Sequence, residues 1–130
     1  MTAQVRIVPY TADHLAGVVA LCAAQGWPSL PADTARAGAA LRAPGAVTLV
    51  AVEAGGVVGF AHALSNGWWG CLSLLLVAES HRGAGIGRRL VAEVFRTGGI
   101  TRLDLLTDDA GGFYRSLPHK TLDGFRVYPL

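Results

Sequence analysis

The stretch that most constrains this chain runs from Leu74 to Phe95. An apolar run, Leu74-Leu75-Leu76-Val77-Ala78, breaks abruptly into Glu79-Ser80-His81-Arg82-Gly83-Ala84-Gly85-Ile86-Gly87. A helical pattern follows, with Ile86, Leu90, Val91, Val94 and Phe95 on one apolar stripe. Three glycines at alternate positions remove side chains where the backbone has to approach a ligand closely. The helix behind them leaves its first N–H groups unpaired and puts partial positive charge at the turn. Such a turn suits a phosphate. Arg82 opens the turn and Arg88 and Arg89 open the helix, adding charge for a pyrophosphate. A tight turn with no ligand would account for one glycine. Three of them, with an arginine before and a helix behind, favour the phosphate site.

The remaining pattern supplies the rest of a sheet. Gln4 to Pro9 reads as a short strand around Val5 and Ile7. Thr11 is placed to cap the next helix, where Leu15, Val18, Val19 and Cys22 recur at helical spacing, and Gly26-Trp27-Pro28 ends it. A second helix is expected over Pro31 to Arg42, with Pro44-Gly45 as a break. Val47 to Val52 and Val57 to Leu64 are two strands joined through Glu53-Ala54-Gly55-Gly56, a hairpin signal. In the second of these, Val58, Phe60, His62 and Leu64 share one face. Val57, Gly59, Ala61 and Ala63 leave the other face small enough for a close-packed helix. Ser65-Asn66-Gly67 turns into Trp68-Trp69 and a third strand, Cys71 to Val77. After Gly98-Gly99 come a strand over Leu103 to Thr107 and a short helix with Phe113, Tyr114 and Leu117, which Asp108 or Asp109 can cap. A last strand is expected from Phe125 to Tyr128. No repeat or linker divides the chain, so residues 1–130 read as a single α/β domain, a mixed sheet flanked by helices.

Composition narrows the partners. Hydrophobic residues make up 52% of the chain and charged residues 15%, too apolar for a disordered segment. The longest aliphatic run, Leu74 to Ala78, is far short of the roughly 20 residues of a membrane span. The start, Met1-Thr2-Ala3-Gln4-Val5-Arg6, lacks the apolar core of a signal peptide, and no membrane partner is expected. A net charge of +2, with Arg82, Arg88 and Arg89 as the only tight basic cluster, argues for a local phosphate site and against nucleic acid. Cys22 and Cys71 have no metal or redox spacing. Each lies in an apolar segment and is expected as a buried free thiol in the reducing cytoplasm.

The glycine turn is not a P-loop, which needs a lysine that this turn lacks. A dinucleotide fingerprint would match Gly83 and Gly85, but its third position is Arg88. Asp104 does fall about 20 residues on, as that fingerprint asks. Context speaks against it, because a hairpin precedes the motif and only roughly 40 residues follow Gly87, too few for a doubly wound sheet. The segment Arg82-Gly83-Ala84-Gly85-Ile86-Gly87 resembles the Arg/Gln-x-x-Gly-x-Gly/Ala signature of the GNAT N-acetyltransferase superfamily. Leu74 to Val77 is similar to that family's central strand, and Phe113-Tyr114-Arg115-Ser116-Leu117 to its Phe-Tyr-x-x-Leu helix. The order of elements fits over nearly the whole chain.

The resemblance implies a GNAT-like central twisted sheet and an acetyl group carried from acetyl-CoA, the cosubstrate, to a primary amine of a small molecule or peptide. It implies that Arg82, Gly83, Gly85 and Gly87 bind the pyrophosphate through backbone N–H groups, and that Leu75 and Val77 pair through their backbones with the pantetheine arm between two splayed strands. The N–H of Val77 is then the oxyanion donor. Tyr114 matches the family's tyrosine acid. A phenol of pKa about 10 stays protonated at neutral pH and hands its proton to a thiolate whose thiol titrates near about 8.5, judged by cysteine. No base is assigned: Ser73 is no carboxylate, His62 reads as a satisfied, partly buried histidine, and Glu79 and His81 as residues of a solvated turn. Trp68 and Trp69 read more simply as cover for a sheet edge than as an acceptor pocket. After the Phe-Tyr helix the family has two strands, and here only one remains. Either the C-terminal strand region is shortened or a partner chain, as in a homodimer, covers the exposed edge. Two other readings stay open: a non-catalytic acyl-CoA-binding or regulatory domain that kept the fold, and a nucleotide-binding domain of another kind.

Overall fold

A computed structural model describes residues 4–130. Met1, Thr2 and Ala3, where the expected leaderless start begins, lie outside the described residues. Five strands, β1 (Arg6–Pro9), β2 (Ala46–Glu53), β3 (Gly56–Ser65), β4 (Trp69–Val77) and β5 (Arg102–Asp104), form one sheet in chain order. The first four pair antiparallel, and β4 and β5 run parallel. The helices are α1 (Leu15–Ala24), α2 (Ser29–Ala32), α3 (Thr34–Leu41), α4 (Ile86–Gly98) and α5 (Gly111–Arg115). Among the described residues no helix is long and apolar enough to cross a membrane.

Both faces of the sheet are covered by apolar residues of the helices. Ile86, Leu90 and Val94 of α4 pack on Leu49, Ala51, Ala61, Ala63 and Leu72. Val18, Leu21 and Cys22 of α1 and Leu41 of α3 pack on Val50, Val52, Phe60 and Leu76 on the other side. At Gly59 a Cβ would crowd the Leu76 carbonyl oxygen of the neighbouring strand at 3.1 Å and only touch a Leu90 methyl of α4 at 3.5 Å. Helix α1 ends at Gly26 (φ +74°), where the Trp27 N–H returns to the Cys22 carbonyl at 2.9 Å.

Several expectations need correction. The helix expected over Pro31 to Arg42 is two pieces, because Asp33 is extended and its carboxylate accepts the Arg36 N–H at 3.0 Å, starting α3 afresh. In β3 the faces of the first two valines are exchanged. Val52 pairs with Val57 but Ala51 with Gly59, so Val58 is an extra, bulged residue. Val57 therefore points to the α1 side with Phe60, and Val58 to the α4 side. A second bulge lies between the pairs His62–Leu74 and Ala63–Leu72, where Ser73 is the extra residue of β4. Strand β5 stops at Asp104, short of Thr107. Helix α5 is not capped by Asp108 or Asp109, since the Ala110 N–H goes to Thr107 Oγ1 at 3.0 Å. Cys22 is buried as expected, but Cys71 is exposed.

The strand expected from Phe125 to Tyr128 does not form. From Pro118 onward the chain has no helix or strand and every residue is exposed, Phe125 at 86%. A strand needs a partner and a face to bury. The three-residue β5 offers neither along most of its would-be length, so alternation alone leaves the segment as coil.

Candidate active site

Strand β4 changes partners along its length. Trp69, Gly70 and Cys71 pair with Arg102, Leu103 and Asp104, and beyond Cys71 no β5 residue is paired with it. On its other side β4 stays paired with β3 to Val77. The Ala78 N–H donates to the Val58 carbonyl at 2.8 Å, so by antiparallel alternation Leu76 and Leu74 also bond toward β3. The N–H groups of Leu75 and Val77 then face the opposite way, into the gap left by β5. The Val77 carbonyl on that side accepts from Arg82 Nε at 3.2 Å, which leaves the N–H.

At the end of this open edge stands the glycine turn. Gly83 and Gly85 have φ of +80° and +82°, and a Cβ on either would meet no protein atom within 4 Å. They are needed for the left-handed backbone, and the space around them is free. Gly87 has another reason: a Cβ there would come 3.2 Å from Phe113 Cε1, so it makes room for α5. The first bond of α4 runs from the Arg89 N–H to the Gly85 carbonyl at 3.0 Å. The N–H groups of Ile86, Gly87 and Arg88 ahead of it have no carbonyl partner among the described residues and collect at the turn.

The arginines divide their tasks. Arg82 turns its side chain back, with Nε on the Val77 carbonyl and Nη2 on Gln25 Oε1 at 2.6 Å, tying the strand end to the end of α1. Arg89 reaches the Val5 carbonyl at 3.1 Å. Arg88 makes no hydrogen bond or ion pair among the described residues, so its guanidinium is free for an anion at the turn. Gln25 was not singled out from the sequence, and nothing in its local pattern marks it. His81, expected on a solvated turn, bonds Glu53 Oε1 at 3.2 Å and Ser80 Oγ at 2.8 Å and so fastens the turn to the β2–β3 hairpin.

Tyr114 lies on the α4 side, half-buried beside the core and edge-on to Phe113 at 4.9 Å. Its hydroxyl has no protein partner, and burial pushes its pKa above the usual value, which keeps the proton on oxygen at neutral pH. On the opposite side, Trp68 and Trp69 stack at 4.7 Å at the closed end and are 60% and 41% exposed. An open groove of 520 Å³ lies beside Trp69, with Leu64, Cys71, Arg102 and Asp104 on its walls.

A family model described as an acetyltransferase (GNAT) domain matches residues 44–117, which span β2 to the end of α5. No curated protein sequence matches the chain. Among solved structures, it is similar to an aminoglycoside N-acetyltransferase in complex with CoA (TM-score 0.82, 23% identity, 100% of this chain and 97% of that one). It is also similar to an acetyltransferase of Trypanosoma brucei (TM-score 0.76, 22% identity, 98% and 100% covered). A ribosomal-protein-alanine N-acetyltransferase of Brucella melitensis biovar Abortus gives a TM-score of 0.76 at 20% identity, with 97% and 99% covered. At such identities these likenesses speak for a shared fold. The family model adds sequence agreement over the stretch that holds the split strand, the glycine turn and the Phe113-Tyr114 helix, and so the chain belongs to the GNAT acetyltransferase family.

Proposed function

We propose that this chain, as a single domain over residues 1–130, transfers the acetyl group of acetyl-CoA to a primary amine by direct attack. The observation that carries the reading is the open edge of β4 ending at the glycine turn: one line of unpaired backbone donors, followed by a phosphate-sized concentration of helix N–H groups. In this reading Gly83, Gly85 and Gly87 hold the pyrophosphate through backbone N–H groups, with the Arg88 guanidinium beside them; the Arg82 N–H, expected to join them, donates instead to the Glu79 carbonyl at 3.4 Å. The backbones of Leu75 and Val77 take the pantetheine arm as a further strand would be taken. The Val77 N–H then points at the thioester oxygen and stabilises the charge that grows there as the amine adds. Tyr114, protonated and half-buried on the α4 side, supplies the proton that the departing thiolate needs. The side chain of Arg82 acts indirectly, by fixing the strand end on which Val77 sits.

The acceptor class is an amine of a small molecule or of a peptide, entering from the side of the sheet opposite Tyr114. A cytoplasmic location belongs to the same reading, and the free, exposed Cys71 thiol, which a reducing compartment tolerates, supports it. For the exposed sheet edge at β5 and the apolar tail beyond it, a second copy of the chain is the partner this reading favours.

The test combines binding and turnover. Acetyl-CoA at about 100 times its dissociation constant is expected to stabilise the fold by about 2.7 kcal/mol, and dephosphorylated pantetheine by much less. A panel of aminoglycosides, polyamines and short peptides, read by release of CoA thiol, is expected to yield an acceptor. Stabilisation by NAD and none by acetyl-CoA would sink the reading, and tight CoA binding with no thiol release from any amine would replace it with a non-catalytic binder.

A further inference from the structure

His62 is the only buried polar residue among those described, at 6% exposure, and the transfer reading leaves it without a task. Its hydrogen bonding fixes its chemistry. Thr48 Oγ1 has one hydrogen and donates it to the Leu41 carbonyl at 2.8 Å, an oxygen that can only accept. The same Oγ1 lies 2.7 Å from His62 Nδ1, so Nδ1 is the donor there and carries the ring hydrogen. In the neutral ring Nε2 then bears a lone pair. Nε2 has no protein partner, yet the only buried side-chain polar atom without a partner among the described residues is the Tyr10 hydroxyl. Nε2 therefore reaches open surface.

That surface lies on the α1 face of the sheet, beside β4. On the α1 side of the sheet Phe60 and Leu76 are buried under the helix, while Leu64, Cys71 and Ser73 are exposed, and His62 stands at the boundary. It pairs with Leu74, next to the Ser73 bulge, where β4 has just lost β5. Strand β4 stands between His62 and the split, which opens on its far side, beyond one strand spacing of roughly 4.8 Å. Tyr114 packs on the other, α4 side of the sheet.

Resting on the acetyl-transfer reading, we propose that His62 Nε2 is the general base, with Thr48 as the residue that positions it. The amine nitrogen forms its bond to the acetyl carbon, and its surplus proton passes through one water to Nε2. The C–S bond breaks, and the thiolate takes the Tyr114 proton. Exchange with solvent returns the imidazolium to the neutral ring and the phenolate to the phenol, so the products are amide and free thiol. A weak base suffices, because the nitrogen of the adduct is far more acidic than a free ammonium. Burial holds the ring's pKa below the usual 6.5. The groups placed against it add no charge: Thr48 from β2, Leu74 from β4, and through Thr48 the Leu41 carbonyl of α3, whose following Arg42 is turned to the Gly38 carbonyl.

The test uses the whole chain, acetyl-CoA and the amine of highest turnover from the panel. His62→Gln is expected to lower kcat about 100-fold, to erase the acid limb that the wild type shows below pH 6.5, and to leave acetyl-CoA affinity by calorimetry unchanged. Thr48→Val is expected to lower kcat with the same unchanged affinity, and to loosen the tautomer preference. Long-range proton–nitrogen NMR of the wild-type imidazole at pH 7.5 is expected to show hydrogen on Nδ1. Hydrogen on Nε2 would overturn the proposal whether or not the variants fold. So would a His62→Gln protein with wild-type kcat and acid limb, an outcome that leaves acetyl transfer itself intact. A wild type that turns over no amine overturns the transfer reading and the base with it.

Discussion

At its start β4 is an interior strand, and at its end it is an edge. Between Trp69 and Cys71 every device of sheet closure is present. The Thr101 N–H and Oγ1 both donate to the Trp68 carbonyl, at 2.9 and 3.1 Å, and the Arg102 guanidinium lies 4.9 Å over the Trp69 ring. Gly70 has no side chain, so Ile100 and Leu103 close over it, with methyls 2.6 and 3.2 Å from where a Cβ would be. From Leu72 to Val77 none of this continues, and the donors that β5 would have taken are left for something else. Closing one end tightly is what lets the other stay open, because the strand's position is already fixed when its far edge is left bare.

Substitutions at the two ends can separate these roles. The largest effect is expected at the open end from Tyr114→Phe. Turnover falls about 100-fold, equivalent to about 2.7 kcal/mol of barrier, while acetyl-CoA still binds and melting is retained. Wild-type turnover in a folded variant would remove Tyr114 from the chemistry. Next comes Gly70→Ala at the closed end, whose methyl has to displace Ile100. A loss of about 2 kcal/mol in chemical denaturation is expected, with acetyl-CoA affinity unchanged; a matching loss of affinity would mean the two ends are not independent. The smallest effect is that of Gly85→Ala, which puts a side chain at positive φ and against the bound pyrophosphate. About tenfold weaker acetyl-CoA binding by calorimetry, or about 1.4 kcal/mol, is expected, and unchanged binding would take the turn out of the site.

The open end was legible in the sequence and the alignment of faces was not. Three glycines, an apolar run and an amphipathic stripe are local signals, and they sit on consecutive residues. His62 shows what local signals miss. Counting back from the two-residue turn between Glu53 and Gly56, Thr48 falls opposite Ala61, where it would mean nothing. The Val58 bulge shifts the register by one and brings Thr48 to His62. Nothing in Val57-Val58-Gly59 announces an extra residue, because two valines serve equally well on either buried face. The C-terminal strand failed for the opposite reason: Phe125 to Tyr128 carries a clean alternating pattern, but a strand is a property of a pair.

The stacked tryptophans have a spectroscopic consequence. Asn66 Oδ1 accepts the N–H groups of both Trp68 and Trp69, at 2.9 and 2.8 Å, and holds the two indoles 15° from parallel. Two such chromophores at van der Waals separation couple their transitions, so their ultraviolet circular dichroism is an exciton pair and not a sum of two rings. That signal belongs to the closed end alone. It makes the start of β4 observable without a label while the other end of the strand changes ligands.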